Sequence, residues 1–301
     1  MNIIQPTSVS LGDIIETSAT DTQQPWESQE TYSSGSRVLF NSTKDGQSIY
    51  ESAVDGNAGK QPDKSPDDWV RVGPSNVWAP FDGSASTIST SSGGFEIKFH
   101  AKGVIDSIAL LEMLGSKVTI EIYVDETDPP VYTETRELLD TTSIVDAYTY
   151  FFTPFDFIKD TIFFGIPPFY DVVVKITIES GDTAGVGEIL VGQNIFIGDT
   201  GANARHGIRD FSKVIEDDFG NVTMLRGAWS KRADMLVRIP EGRHRYASRV
   251  LTEMRGIPAV FIGSAYANHE PLVIYGVIRN WGGDTHFLDH STINIEIQGL
   301  I

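Results

Sequence analysis

The stretch Lys117-Val118-Thr119-Ile120-Glu121-Ile122-Tyr123-Val124 alternates between polar or amphipathic and aliphatic side chains. A period of two residues is typical of a β-strand with one buried face, which here would carry Val118, Ile120, Ile122 and Val124. Further strand patterns lie at 95–99, 148–152 and 172–178. Evenly spaced strands with little helix predict an antiparallel β-sandwich or jelly roll over residues 74–198.

The segments on either side have different patterns of predicted secondary structure. Residues 24–73 contain short strand patterns at 37–40, 48–52 and 68–72, separated by turn residues, and predict a small β module with an aromatic core. Residues 199–301 combine strand patterns with a helical pattern at 246–255, which Gly256 and Pro258 end. They predict an α+β domain, so the whole chain is expected to be mainly β.

Residues 1–23 are polar apart from one apolar patch formed by Val9, Leu11, Ile14 and Ile15. Two interpretations fit this pattern equally well. The segment is either an arm that packs on a neighbouring molecule or a flexible leader. It lacks the basic start and continuous apolar stretch of a signal peptide, so synthesis in a cytoplasm is expected.

The composition restricts the partners. Asp and Glu number 41 against 23 Lys and Arg, a formal charge of −18 that repels phosphate backbones and anionic lipid. We therefore expect neither a nucleic-acid partner nor membrane insertion. The acidic residues are spread along the chain, as on a solvated surface or an electrostatic contact surface. The chain has no cysteine, which excludes disulfides and thiolate metal sites.

Motifs for chemistry are sparse. The sequence has no glycine-rich phosphate motif and no His-Glu-x-x-His, so we predict no cofactor and no catalytic residue. Asp284, His286 and His290 would share one face of a regular strand and could ligate a metal, but a polar hairpin explains them better. Asp217-Asp218-Phe219-Gly220-Asn221 lacks the calcium-loop pattern and predicts a tight turn. Glycosidase carboxylates cannot be chosen from sequence alone, so hydrolase activity stays open.

A basic island interrupts the acidic chain at 201–209. Arg205 and Arg209 in this island, with Arg243 and Arg245 further on, are candidates for contact with an acidic neighbouring subunit, because guanidinium groups suit bidentate contacts with carboxylates. The other interpretation is an exposed loop balanced by nearby acidic residues.

The module at 24–73 carries a recognisable aromatic and glycine spacing: Trp26, Tyr32, Gly35, Val38, Tyr50, Gly59, Pro62 and Trp69. This spacing resembles the small chitin-binding-type carbohydrate modules of family 5/12, which also recur in phage tail and fibre proteins. The resemblance implies Tyr32, Tyr50 and Trp69 as carbohydrate-contact candidates. Glu51, Ser52 and Ala53 stand where sugar-binding members carry an exposed aromatic pair, so a purely structural role for the three rings stays open.

Two further resemblances cover the rest of the chain. Residues 78–83 and 186–192 resemble the entry and exit of a galactose-binding-like (discoidin-type) jelly roll, and residues 197–221 and 291–301 resemble C-terminal portions of tail proteins from long-tailed phages. Together they imply a distal-tail-like, non-enzymatic component of a phage tail tip or baseplate. Its expected location is the virion. Its expected partners are other tail proteins, copies of itself and a host-surface glycan.

Two other functions remain open. One is a stand-alone lectin, or an accessory carbohydrate-binding subunit of a polysaccharide-degrading enzyme. The other is a tail-associated depolymerase.

Overall fold

The structure is a computed structural model that describes residues 1–44, 46–142, 144–154, 156–201, 204–216, 219–263, 272–284 and 290–300. The chain forms two compact units, a terminal unit (Met1–Pro6 with Leu190–Ile301) and a central unit (Thr7–Ile189). Antiparallel strands dominate both units, which confirms the predicted mainly β fold.

The elements, in chain order, are the strands β1 Asn2–Pro6, β2 Ile14–Thr17, β3 Gln24–Pro25, β4 Thr31–Tyr32, β5 Arg37–Ser42, β6 Gly46–Ser52, β7 Asn57–Ala58, β8 Trp69–Pro74, β9 Ser89–Ser92, β10 Phe95–Ile105, β11 Ser107–Leu111, β12 Lys117–Tyr123, β13 Tyr132–Glu137, β14 Leu139–Asp140, β15 Asp156–Phe157, β16 Thr161–Phe163, β17 Phe169–Glu179, β18 Thr183–Val186, β19 Glu188–Phe196, β20 Asp199–Thr200, β21 Arg205–Asp210, β22 Lys213–Glu216, β23 Val222–Leu225, β24 Trp229–Pro240, β25 Ala259–Ile262, β26 Val273–Asp284 and β27 His290–Gly299, and the helices α1 Ala147–Phe152 and α2 His244–Glu253. Short 3-10 turns occupy Leu11–Asp13, Pro62–Lys64 and Ala79–Phe81.

The central unit is built on a five-stranded antiparallel sheet in the order β13-β12-β17-β10-β2. Val118, Ile120 and Ile122 of β12 are buried, as the alternation predicts, and pair with Ile178, Ile176 and Val174 of β17. Val124 differs from the prediction. It follows the end of β12 and is 61% exposed, because the buried face stops with the strand.

The small module of the central unit is a four-stranded sheet in the order β3-β5-β6-β8, with β4 and β7 paired beside it. Its core contains Val38, Tyr50 and Trp69, with Trp26, Tyr32 and Phe40 packed against them. A module this small buries little aliphatic surface, so large rings supply most of its packing.

In the terminal unit, a sheet in the order β19-β1-β25-β26-β27-β24 continues with β20, and β21 also pairs with β24. Helix α2 buries Ala247, Val250 and Leu251 in the same hydrophobic core as the sheet. The predicted helix at 246–255 is therefore present, shifted by two residues, and Gly256 with a φ of 72° follows its end.

Residues 1–23 do not form a separate arm. Strand β1 lies between β19 and β25, where Ile3 pairs with Ile195 and Phe261 and is fully buried. Opposite Pro6 stands Gly192, where an added Cβ would lie 1.9 Å from the Gln5 carbonyl oxygen. A side chain at Gly192 is therefore incompatible with this pairing.

The strand predicted at 148–152 is helix α1 in the structure. Asp146 caps the helix: its carboxylate accepts a hydrogen bond from the Thr149 backbone N–H at 2.8 Å, and the Thr149 hydroxyl oxygen accepts one from the Asp146 N–H. This reciprocal capping stabilises a helical turn despite the aromatic residues that favour a strand.

Candidate functional site

The three carbohydrate-contact candidates lie together in the small module. Trp69 is 2% exposed and donates its indole N–H to the Lys60 carbonyl at 2.9 Å, and Tyr50 is likewise buried. Tyr32 is half-buried and meets the Trp69 ring edge to face at 5.3 Å. The rings of Tyr50 and Trp69 therefore offer no open face on which a pyranose could stack, and their position is that of core residues.

The four arginine candidates all lie in the terminal unit and are all exposed. Arg205 and Arg209 share one face of β21, with Arg209 above the Phe211 ring at 5.0 Å. Arg243 occupies the N-cap position of α2 and contacts the Tyr246 ring at 5.6 Å, and Arg245 lies in the first turn of the same helix. The four residues thus form two pairs, one on a strand and one at a helix start.

An exposed hairpin follows β21. Strands β22 and β23 pair only with each other among the described strands, and all eight of their residues are exposed. Val214 and Met224 stand opposite each other on one face, and Ile215 and Leu225 lie on the other. Met224 is 72% exposed. We call Lys213–Glu216 with Val222–Leu225 the apolar ribbon.

A second exposed apolar surface occupies residues 145–152 of the central unit. Helix α1 buries none of its residues, and Phe151 is 75% exposed. The rings of Tyr148 and Phe152, one helical turn apart, lie 4.7 Å from each other at an angle of 35°. We call residues 145–152 the aromatic segment. Sequence reasoning assigned its rings to a strand and therefore missed it, although four aromatic residues in five positions is a visible signal.

A carboxyl pair, the buried Glu188 and the half-buried Asp82, joins the entry and exit of the central unit's sandwich. Glu188 is 6% exposed, and its Oε2 accepts a hydrogen bond from the Gly83 N–H at 3.0 Å. Burial raises the pKa of Glu188 to about 9, and the charge of Asp82 acts in the same direction. Asp82 accepts hydrogen bonds from the Thr87 hydroxyl at 2.6 Å and the Ser84 N–H at 2.7 Å. Glu188 is therefore protonated at neutral pH.

A cleft of about 380 Å³ lies between the small module and the sandwich of the central unit. Its walls include Asp21, Ile49 and Asn76. The Asp21 carboxylate accepts the Asn76 backbone N–H at 2.6 Å, and the Asn76 side chain donates to the Thr90 carbonyl at 2.9 Å. These hydrogen bonds join the segments that flank the small module to each other and to β9.

The metal candidates are only partly covered by the structure. Asp217, Asp218 and His286 lie outside the described residues. Asp284 ends β26 and His290 begins β27, where the His290 Nδ1 lies 3.3 Å from an Arg238 nitrogen. Within the described ranges no three His, Asp or Glu side chains are grouped as metal ligands.

The fold and these surfaces define a mainly β protein of two compact units that exposes the apolar ribbon and the aromatic segment. No protein-family model, curated protein or solved structure matches the chain. In the part of the chain that the structure covers, no helix is long and apolar enough to cross a membrane.

Proposed function

We propose that the chain is a structural component of a phage tail tip or baseplate, assembled symmetrically with copies of itself and with other tail proteins. The observation that carries the proposal is the exposed apolar surface of the apolar ribbon and the aromatic segment. Contiguous apolar surface of this kind marks contact sites in soluble proteins. A structural role needs neither a cofactor nor a catalytic residue.

The distribution of charge supports the same function. The terminal unit has 12 Lys and Arg and 12 Asp and Glu, whereas the central unit has 11 and 29. The whole formal charge of −18 therefore falls on the central unit. A neutral unit with exposed arginines can approach the acidic unit of a neighbouring copy, while two acidic units repel each other.

Contact with a host-surface glycan belongs to this proposal as a property of the assembled particle. Several copies around a tail axis multiply weak contacts, so low affinity in each copy gives useful avidity. In the small module Tyr32 is the one candidate ring of the three that is not buried.

Immunogold labelling of purified phage particles, with an antibody against this chain, tests the proposal. We expect label concentrated at one end of the tail. Intact particles without label, with the protein free in the lysate, would refute the tail-tip function.

The aromatic segment favours a second candidate function, a lectin or an accessory carbohydrate-binding subunit. Exposed rings such as those of Tyr148 and Phe152 can stack on sugar rings, and neither contributes to a core. A lectin would bind polysaccharide as an isolated monomer. Titration of the purified chain with a panel of soluble polysaccharides, using Tyr148→Ser with Phe152→Ser as the variant, tests this function. Binding by the wild type that the variant loses would support it.

A further inference from the structure

The apolar ribbon needs a covering surface. A two-stranded hairpin is marginally stable alone in water, and this one exposes both faces to solvent. One face carries Val214 and Met224, and the other carries Ile215 and Leu225. A sheet face that is apolar and solvated gains stability only when another surface covers it.

The base of the ribbon is basic. Arg209 precedes β22, Lys213 begins it and Arg226 follows β23, and all three are exposed. Asp210 is the acidic residue at this base, so three cations face one carboxylate there, and Glu216 lies at the opposite end, where β22 ends. A partner surface for the base should therefore be apolar and acidic.

The aromatic segment and the residues that flank it have that chemistry. Residues 137–158 contain Glu137, Asp140, Asp146 and Asp156 and no Lys or Arg. Hydrogen bonds from Thr142 and from the Thr149 backbone hold the pKa values of Asp140 and Asp146 below their usual range, so both stay ionised at neutral pH. An acidic apolar surface repels nucleic acid and anionic lipid and attracts a basic apolar one.

We propose that the apolar ribbon of one copy packs on the aromatic segment of a second copy, with Arg209, Lys213 and Arg226 facing the second copy's aspartates. The inference rests on the proposed function, for which it names the contact between copies. Packing of two ribbons base to base would instead place these cations against each other.

The contact joins two different surfaces. The ribbon of each copy therefore binds one neighbour, and its aromatic segment binds the ribbon of another. A head-to-tail contact of this kind produces a closed ring when the rotation between copies closes, and a filament when it does not. A symmetric tail component requires the ring.

Two double variants test the contact in the full-length chain. Val214→Thr with Met224→Thr removes apolar groups from the ribbon and leaves β-branched residues, which favour strands, at both positions. Tyr148→Ser with Phe152→Ser removes the stacked rings of the aromatic segment. Val72→Thr, an exposed valine of β8, is the matched control. Native mass spectrometry and sedimentation velocity measure the oligomeric state, and circular dichroism checks folding.

We expect the wild type and the control to form oligomers that weaken as salt is added. Each double variant alone should associate at least about tenfold more weakly. An equimolar mixture should form 1:1 dimers and nothing larger, because one intact ribbon then meets one intact aromatic segment. Dimer formation also proves that both variants are folded.

Three results would overturn the contact. These are a monomeric wild type, a ribbon variant that assembles normally, and an aromatic-segment variant that assembles normally, whether or not it has lost binding to polysaccharide.

The proposed function can be refuted separately from the contact. Ring-shaped oligomers in solution, with no label on phage particles, would refute the tail location and leave the contact between copies standing. Labelled particles with a chain that stays monomeric in solution would support the tail location and refute the contact.

Discussion

Glu188→Gln should make the stability of the chain less dependent on pH. Glu188 is 6% exposed, and burial raises its pKa to about 9 in the folded chain, with the Asp82 charge adding to the shift. In the unfolded chain its pKa is about 4.3. Glutamine keeps the shape of the neutral side chain and an oxygen that can accept the Gly83 N–H, but it does not titrate.

The sign and size of the effect follow from proton linkage. Between about pH 4.3 and pH 9 the folded state holds a proton that the unfolded state releases, so the stability of the wild type falls as pH rises. The contribution of the Glu188 proton to stability is complete below the pKa of the unfolded state. It is lost as pH rises through the pKa of the folded state. Within this range, each rise of one pH unit lowers the free energy of unfolding of the wild type by about 1.4 kcal/mol. The free energy of unfolding of the variant, relative to the wild type, should therefore rise by about 3 kcal/mol from pH 6 to pH 8.

Guanidinium unfolding at several pH values, followed by tryptophan fluorescence, measures this difference. Trp69 and Trp78 are buried in the same unit as Glu188 and report its unfolding. Glu30→Gln, at an exposed glutamate of that unit, removes the same charge and is the control. A wild type and variant whose stabilities run parallel across this range would show that Glu188 is ionised in the folded chain and that the reasoning is wrong.

Three further substitutions test the packing. Trp69→Ala should cost about 3–5 kcal/mol and unfold the small module, whereas a Trp69 that served as a sugar platform would leave thermal unfolding unchanged. Gly192→Ala should lower stability by at least about 1–3 kcal/mol, measured by calorimetry against Gly12→Ala, whose added Cβ meets nothing within 4 Å; equal melting temperatures would contradict the β1–β19 pairing. Tyr148→Ser with Phe152→Ser should leave the stability of the monomer within about 0.5 kcal/mol, since α1 buries nothing, and a larger loss in chemical denaturation would place the rings in a core.

Local periodicity predicts the elements whose burial repeats with a simple period. The alternation at 117–123 corresponds to β12, because a strand with one buried face imposes a period of two. The helix at 246–255 was equally readable, since its buried residues recur at helical spacing.

Pairings across the chain could not be predicted in the same way. Ile3 belongs in the sheet because of partners almost 200 and 260 residues later, Ile195 and Phe261, and no pattern within residues 1–23 records them. Glu188 looks like any other acidic residue until the fold brings it to the Gly83 N–H, 105 residues away. At 148–152 the local pattern predicted the wrong element. The helix cap at Asp146 outweighed the strand preference of the four aromatic residues.

Charge and exposed apolar surface are best explained together. Apolar strands and rings on the surface of a monomer promote unspecific association, and proteins limit this risk with charge. Here the central unit carries the entire −18, so two copies repel each other unless a neutral or basic surface lies between them. The terminal unit presents such a surface at the base of the apolar ribbon, where Arg209, Lys213 and Arg226 lie. Contacts between the central units of two copies are thus disfavoured, and contacts between the terminal unit of one copy and the central unit of another are permitted. A head-to-tail ring requires this preference.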